Sequence, residues 1–195
     1  MAYTASTGFR FRKSLIGLEH PATDNFLLAG SATVKIGDLV RVNTGGLLVR
    51  CATGEIPCGV LVGIVDQNGI NVFSPRAQGT AGATLTPDDQ VATSSTNATD
   101  ATRKLMGQVS VEVAGTNLWF NDADNDFTIS NLFQTFDVAN GNQVTFASAS
   151  DTTSKEVMLY AIDPDGDGDA SKGLFRIANN QFGVGVDKGD TRVAA

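Results

Sequence analysis

The sequence has little of what most catalytic sites are built from. Its 195 residues include one histidine, His20, and two cysteines, Cys51 and Cys58. A Ser/His/Asp site needs its imidazole held on a rigid scaffold beside a nucleophile, whereas His20 precedes Pro21 in a segment predicted to be extended. Two thiols without a third cysteine or a nearby histidine cannot complete a zinc site. We therefore predict that the protein is not an enzyme.

Long apolar runs and a basic surface are also lacking. The longest apolar run, residues 59–65, is far shorter than the roughly 18 residues that span a bilayer, and no signal peptide is recognisable. The net charge is −7, with +2 on residues 1–76 and −9 on residues 77–195. An acidic body does not follow a phosphate backbone. We expect neither a nucleic-acid nor a membrane partner, and synthesis in a cytoplasm.

Helical periodicity is weak throughout, and short strand patterns take its place. Residues rich in valine, isoleucine, phenylalanine and threonine recur between turn signals, among them Asn140-Gly141, which is typical of a tight hairpin. This pattern predicts an all-β protein. The predicted strands cover residues 34–42, 47–52, 60–65, 69–73, 107–113, 118–120, 133–138, 143–147, 156–162 and 174–178.

The composition divides the chain into three predicted parts. Residues 1–33 form an extended N-terminal arm, residues 34–113 a β-barrel-like domain, and residues 114–195 a second, outward-facing β-domain. Within the middle part, residues 78–104 have few large apolar groups and read as a surface excursion. The arm carries the one basic cluster of the chain, which is expected to contact another subunit: Phe9, Arg10, Phe11, Arg12 and Lys13.

A faint internal echo indicates a repeated unit. Asp38 precedes a strand beginning near Gly59, and Asp89 similarly precedes a strand beginning near Gly107. Both copies would consist of a turn, a strand, a loop and a glycine that opens a second strand. Two copies at unequal spacing are weak evidence of a repeat.

One acidic loop has the spacing of a calcium site. Carboxylates alternate with other residues, two of them glycines, as oxygen ligation of calcium requires, and the candidate ligands are Asp163, Asp165, Asp167 and Asp169. The twelfth position, however, is Leu174 where an EF-hand has glutamate, and no helices flank the loop. The alternative is an acidic hairpin loop without a metal. A second cluster, residues 122–126, lacks the glycine bend and is predicted to be a solvated turn.

The two cysteines leave two alternatives open. Cys51 and Cys58 lie on opposite sides of a predicted turn at residues 53–57, where they could face each other and form a disulfide. The favoured interpretation is that both are small buried side chains, because the chain shows no secretory signal.

The stretch from residue 34 to residue 65 resembles the head decoration, or cement, proteins of tailed bacteriophages. The likeness consists of a Gly-Asp-Leu-Val strand start at residues 37–40, glycine turns at residues 45–46 and 54, and a Gly-Val-Leu strand start at residues 59–61. It extends loosely to residues 85–113 and does not cover the arm or residues 114–195.

The resemblance implies a structural virion protein without an active site or cofactor. Such proteins sit on the capsid exterior and bridge neighbouring major capsid subunits, often as trimers or dimers; a trimer is favoured here. On this interpretation Arg10, Arg12 and Lys13 contact an acidic capsid surface, and Phe9 and Phe11 bury apolar area at the joint.

Three other functions are weighed against decoration. A shell or tail protein of the same virion is disfavoured as a shell subunit because the long spine helix is missing. A calcium-dependent carbohydrate-binding or adhesin module would use the acidic loop. An enzyme is disfavoured by the lack of a recognisable acid/base pair.

Overall fold

The computed structural model describes residues 8–17, 19–29, 34–66, 105–110, 116–139, 141–146 and 156–181. These residues form an all-β fold, as predicted, with one short 3₁₀ turn at Ile129–Asn131. Among them, no helix has the length and apolar character needed to cross a bilayer. The strands are β1 Arg10–Ser14, β2 Thr23–Leu27, β3 Leu39–Val42, β4 Leu48–Arg50, β5 Gly59–Asp66, β6 Leu105–Ser110, β7 Asn117–Asp122, β8 Thr135–Ala139, β9 Gln143–Thr145, β10 Val157–Ile162 and β11 Lys172–Ile177.

The strands form two antiparallel sheets. One has five strands in the order β2-β6-β5-β3-β4, and the other has six in the order β1-β7-β11-β10-β8-β9. Each sheet curls back on itself through one isolated parallel bridge. In the five-stranded sheet the bridge joins β4 to the residue after β2, and in the six-stranded sheet it joins β9 to the residue after β7. These bridges are Leu28 to Leu48 and Ala123 to Val144. Both sheets are therefore barrel-like without a continuous closing ladder.

The two sheets repeat one strand order. The order β2-β6-β5-β3-β4 becomes β7-β11-β10-β8-β9 when each strand is replaced by the one five places later in the chain. The register agrees, since Phe26 pairs with Gly107 in the first unit and Asn121 pairs with Gly173 in the second. The chain therefore contains two copies of one five-stranded unit, spanning residues 23–110 and 117–177, and β1 is an extra strand on the second copy.

This repeat differs from the echo predicted from the sequence. The echo paired the region around Asp38 with that around Asp89, which lies outside the described residues, as does the predicted strand at residues 69–73. The observed repeat instead relates the strand at Leu61 to the strand at Leu159. Both ladders shift register just after these leucines, before Gly63 and before Ala161.

Equivalent glycines occupy the interior of both units. A Cβ on Gly107 would lie 2.8 Å from Leu61 Cδ1 and 2.4 Å from Leu48 Cδ2. A Cβ on Gly173 would lie 2.8 Å from Leu159 Cδ1 and 2.7 Å from Phe175 Cζ. Because these leucines are fully buried, the space that each glycine leaves is filled by a packed neighbour. Both interiors thus depend on a residue without a side chain.

One hydrophobic core crosses from the first unit to the second. Leu39, Cys51 and Val60 of the first unit share a cluster with a group of aromatic side chains of the second, namely Trp119, Phe127, Phe136 and Phe175. The first unit also has its own interior cluster around Leu48, Leu61 and Val109.

Backbone and side-chain hydrogen bonds lock the two units together. The β8–β9 turn inserts against the first unit, where Leu39 N–H donates to Gly141 O (2.6 Å). After β11, the Gln181 side chain bonds both Val42 N–H (2.8 Å) and Val42 O (3.0 Å). Asn180 Nδ2 donates to Cys58 O (2.9 Å). The interface between the units is therefore polar and directional as well as apolar.

The described part of the predicted arm is paired into both sheets. Strand β1 joins the second unit through β7, and β2 is the first strand of the first unit. The predicted boundaries at residues 33/34 and 113/114 adjoin stretches outside the described residues. All three predicted parts contribute residues to the hydrophobic core that crosses between the units, for example Phe9, Leu39 and Trp119.

We expect Gly107→Ala to destabilise the protein by about 1–3 kcal/mol, because the added methyl overpacks a filled interior. Gly173→Ala should have a similar effect in the second unit. Urea unfolding followed by Trp119 fluorescence measures both. The matched control is Gly45→Ala, an exposed glycine whose new Cβ would meet only Asn43 Oδ1 at 3.3 Å. Equal stability of Gly107→Ala and the control would contradict this account of the interior.

Candidate functional site

The basic cluster of the sequence forms strand β1 and the residue before it, and its side chains alternate between two faces. Phe9 is 3% exposed and meets the Phe175 ring edge-on at 6.3 Å. Phe11 is partly buried and meets the Trp119 ring at 5.6 Å. The ring of Phe9, a residue predicted to contact a partner, is therefore part of the core of its own chain. Phe11 lies mostly on the same inner face.

The cations of β1 point away from the core. The Arg10 guanidinium lies 4.6 Å from the centre of the Phe120 ring. Arg12 Nη2 donates to Asp165 Oδ1 at 3.0 Å, and both side chains are about half exposed. Lys13 is exposed. The structure thus brings the predicted basic cluster and the predicted acidic loop together on one surface of the second unit.

The acidic loop is held in shape by its first carboxylate. Asp163 has a φ of 44°, and its two carboxylate oxygens accept the backbone N–H groups of Asp167 (3.0 Å) and Gly168 (2.9 Å). Asp tolerates a left-handed backbone better than most residues do. This side chain therefore closes the loop between β10 and β11.

Lys172 pairs with two carboxylates at the other end of the loop. Lys172 Nζ hydrogen-bonds Asp167 and lies 3.5 Å from Asp169 Oδ2. Hydrogen bonding to Lys172 lowers the pKa of Asp167, and hydrogen bonding to Ser171 lowers the pKa of Asp169. These two carboxylates are consequently charged and already paired at neutral pH.

The four predicted calcium ligands are not gathered around one point. Asp163 binds backbone, Asp165 binds Arg12, and Asp167 and Asp169 share Lys172. In the part of the chain that the structure describes, no three Asp, Glu, His or Cys side chains form a group that could hold a metal ion. The arrangement favours the alternative of an acidic hairpin loop whose carboxylates are bonded to other groups of the same chain.

A buried glutamate links the two units. Glu156 is 1% exposed, and its carboxylate accepts the backbone N–H of Gly54 in the first unit and that of Val138 in the second (3.0 Å for Val138). Burial raises its pKa to about 7, and the nearby Asp137 carboxylate contributes to the increase. Sequence analysis did not single out Glu156, since nothing in the pattern distinguishes it from a solvated strand end.

A second buried carboxylate lies in the stretch that carries the resemblance. Asp38 is fully buried and accepts the backbone N–H of Lys35 at 2.9 Å, while its own N–H donates to Lys35 O. Burial raises its pKa to about 6 despite that hydrogen bond. The aspartate of the Gly-Asp-Leu-Val strand start therefore closes the turn before β3.

The histidine and the thiols do not form a reactive constellation. His20 is exposed, whereas Cys51 and Cys58 are both buried and not bonded to each other. Burial raises the pKa of Cys58 to about 12 and raises that of Cys51 further. Thiols with such pKa values are poor nucleophiles at neutral pH. The described structure thus agrees with the interpretation of two small buried side chains.

Two apolar side chains that sequence analysis missed lie exposed on the second unit. Ile129, in the 3₁₀ turn, is 84% exposed and Phe133 is 64% exposed. The Phe133 backbone has a φ of 62°, a conformation unfavourable for an aromatic residue, and its N–H donates to Leu159 O at 2.8 Å. Its ring meets Tyr160 edge-on at 6.1 Å. We call Ile129, Phe133 and Tyr160 the apolar turn patch.

Comparison of the chain with protein-family models, with curated proteins and with solved structures finds no match in any of the three.

We expect stability to fall as pH rises toward neutrality. Burial raises the pKa of Glu156 from 4.5 to about 7, so between these values the folded protein keeps a proton that the unfolded chain releases. The stabilisation is complete below pH 4.5 and is lost as pH rises through about 7. Asp38 adds the same trend between 3.8 and about 6.

Glu156→Gln should flatten this dependence, because the variant has no proton to release. Urea unfolding at a series of pH values measures the slope, which cannot exceed about 1.4 kcal/mol per pH unit for one group. Glu19→Gln, at an exposed carboxylate, is the control and should leave the slope unchanged. An identical slope in wild type and Glu156→Gln would refute the assignment.

Calcium should not raise the melting temperature, because the loop carboxylates are already paired with Lys172, Arg12 and backbone groups. Differential scanning fluorimetry with about 1 mM calcium, the range of weak extracellular sites, tests this. Magnesium at equal concentration controls for ionic strength. A calcium-specific increase that Asp167→Asn abolishes would restore the predicted metal site.

Proposed function

We propose that this protein is a structural component of a bacteriophage virion that decorates the capsid exterior and cements its major capsid subunits. The residues that carry the resemblance, 34–65, correspond to β3, β4, β5 and the turns between them, a contiguous part of the first unit. The proposal assigns the protein no chemical reaction.

The observation that carries the proposal is the lock between the two units. Glu156, Gly141 and Gln181 each connect one unit to the other through buried or directional hydrogen bonds. A cement protein resists expansion of a shell only if it does not itself deform. Two barrel-like units joined in this way suit that task.

The apolar turn patch is a better candidate for the capsid contact than the basic cluster. Phe9 and Phe11 are turned toward the core, and Arg12 is paired with Asp165. Ile129 and Phe133, by contrast, are exposed apolar groups on a turn whose backbone is already fixed. A rigid group loses little conformational entropy when it binds. We propose that this patch faces the major capsid protein.

The expected burial energies are consistent with a weak contact that is repeated in every copy on the capsid. Full burial of a large apolar side chain is worth roughly 1.5–3 kcal/mol, so two such groups give a weak contact in each copy. When linked copies bind neighbouring capsid subunits, the contacts reinforce one another by effective concentration. Strong attachment to a shell therefore does not require a strong single contact.

The test uses heads of the phage that encodes the chain, prepared without this protein. Purified wild-type protein should co-sediment with the heads and saturate them. The double variant Ile129→Ser/Phe133→Asn should bind at least tenfold more weakly, since asparagine tolerates the positive φ at position 133 without restoring the ring.

A matched control removes a second exposed apolar pair of the described residues. Leu15→Ser/Ile16→Ser changes two side chains that are 47% and 65% exposed at the end of β1, and we expect it to bind like wild type. Failure of the wild type to bind any head form would reject the decoration role. Normal binding by the patch variant would reject only the assigned surface.

A further inference from the structure

The two units differ in the pairing of their first strands, β2 and β7. In the second unit, β7 pairs with β11 on one side and with β1 on the other, over Asn117–Phe120. The equivalent strand of the first unit is β2, which pairs with β6. Within the described ranges, no strand lies against the other edge of β2 along Thr23, Asp24 and Asn25. Among the described residues, the repeat thus leaves unpaired in the first unit a strand edge that is paired in the second.

The open edge of β2 is accessible. Thr23, Asp24 and Asn25 are all exposed. The backbone N–H of Asn25 donates to the neighbouring Asp24 Oδ1 at 2.8 Å, which is a local substitute for a strand partner. An unpaired strand edge is a template for pairing with another chain.

Strand β1 offers a second open edge with complementary charge. It is the terminal strand of the six-stranded sheet, and its outer edge has no partner strand among the described residues. It carries the exposed cation Lys13 together with Arg10, which lies over the Phe120 ring, and Arg12, which is paired with Asp165. Asp24 lies on β2, and Glu19 lies shortly before it. Strands of opposite charge steer each other into register and disfavour self-pairing of like edges.

We propose that the outer edge of β1 in one copy pairs with the outer edge of β2 in a second copy. The two surfaces are different, so the contact is head-to-tail and generates a ring where the rotation closes. The Asn25 N–H would exchange its bond to Asp24 for one to the incoming strand, as in β-strand addition to a sheet edge. The pairing does not require that the protein bind a capsid.

The experiment is sedimentation velocity over a concentration series of the full chain. Wild type should self-associate. Asn25→Pro removes the N–H and places a ring at the edge, which an edge strand tolerates, and should raise the dissociation constant at least tenfold while thermal unfolding stays cooperative. An unchanged dissociation constant in folded Asn25→Pro, or a wild type that remains monomeric throughout, would overturn the pairing.

Charge exchange supplies a second test that does not depend on proline. Asp24→Lys and Lys13→Glu should each weaken association about two- to fivefold, the range of an exposed ion pair, and the double variant should recover it. Asp126→Lys, an equal charge change at an exposed turn residue of the second unit, should have no effect. Equal weakening by Asp126→Lys, or no recovery in the double variant, would show that net charge and not the β1–β2 contact governs association.

The results of these self-association experiments can be distinguished from those of the head-binding test. A monomeric wild type that still saturates heads would reject the strand pairing and leave decoration in place. A wild type that forms rings sensitive to Asn25→Pro but does not bind heads would support the strand pairing and reject decoration.

Discussion

Burial of polar atoms between the two units is the constraint on which the structure depends. The Glu156 carboxylate is removed from water, and that is tolerable only because Gly54 and Val138 both donate to it. Either donor alone would leave a buried charge under-satisfied. Apolar contacts such as those of Leu39 with the aromatic cluster are non-directional, so the hydrogen bonds fix how the units sit and the apolar core supplies most of the free energy.

Much of the strand content could be predicted because it depends on local pattern. The run at 59–65 and the turn signal that includes Gly141 are both recognisable from residue type alone, and residues 59–65 and Gly141 lie on or beside strands of the structure. The closing bridges, such as Leu28 to Leu48, join positions that no periodicity connects. The true repeat was hidden because the connections of its two copies differ in length, most of all the one between β5 and β6, so equivalent strands are offset by different amounts along the sequence.

The residues of the basic cluster and the acidic loop could be predicted from the sequence, but the contacts that they make could not. The alternation of Phe9-Arg10-Phe11-Arg12 is itself a strand pattern, yet its partner β7 lies about a hundred residues away in the sequence and no local signal identifies it. The aspartates of the acidic loop were evident, whereas the role of Lys172 depends on where β11 begins. Phe133 shows the same limit, since residue type alone indicates neither its positive φ nor its exposure.

The unequal loops of the two units have a practical consequence. In the first unit 38 residues separate β5 from β6, and in the second only nine separate β10 from β11, although both pairs of strands keep the same register shift. The fold therefore accommodates connections of very different length at this corner. A longer connection at this corner of the second unit is compatible with the pairing of β10 and β11, which makes the corner a natural position for displaying a foreign peptide.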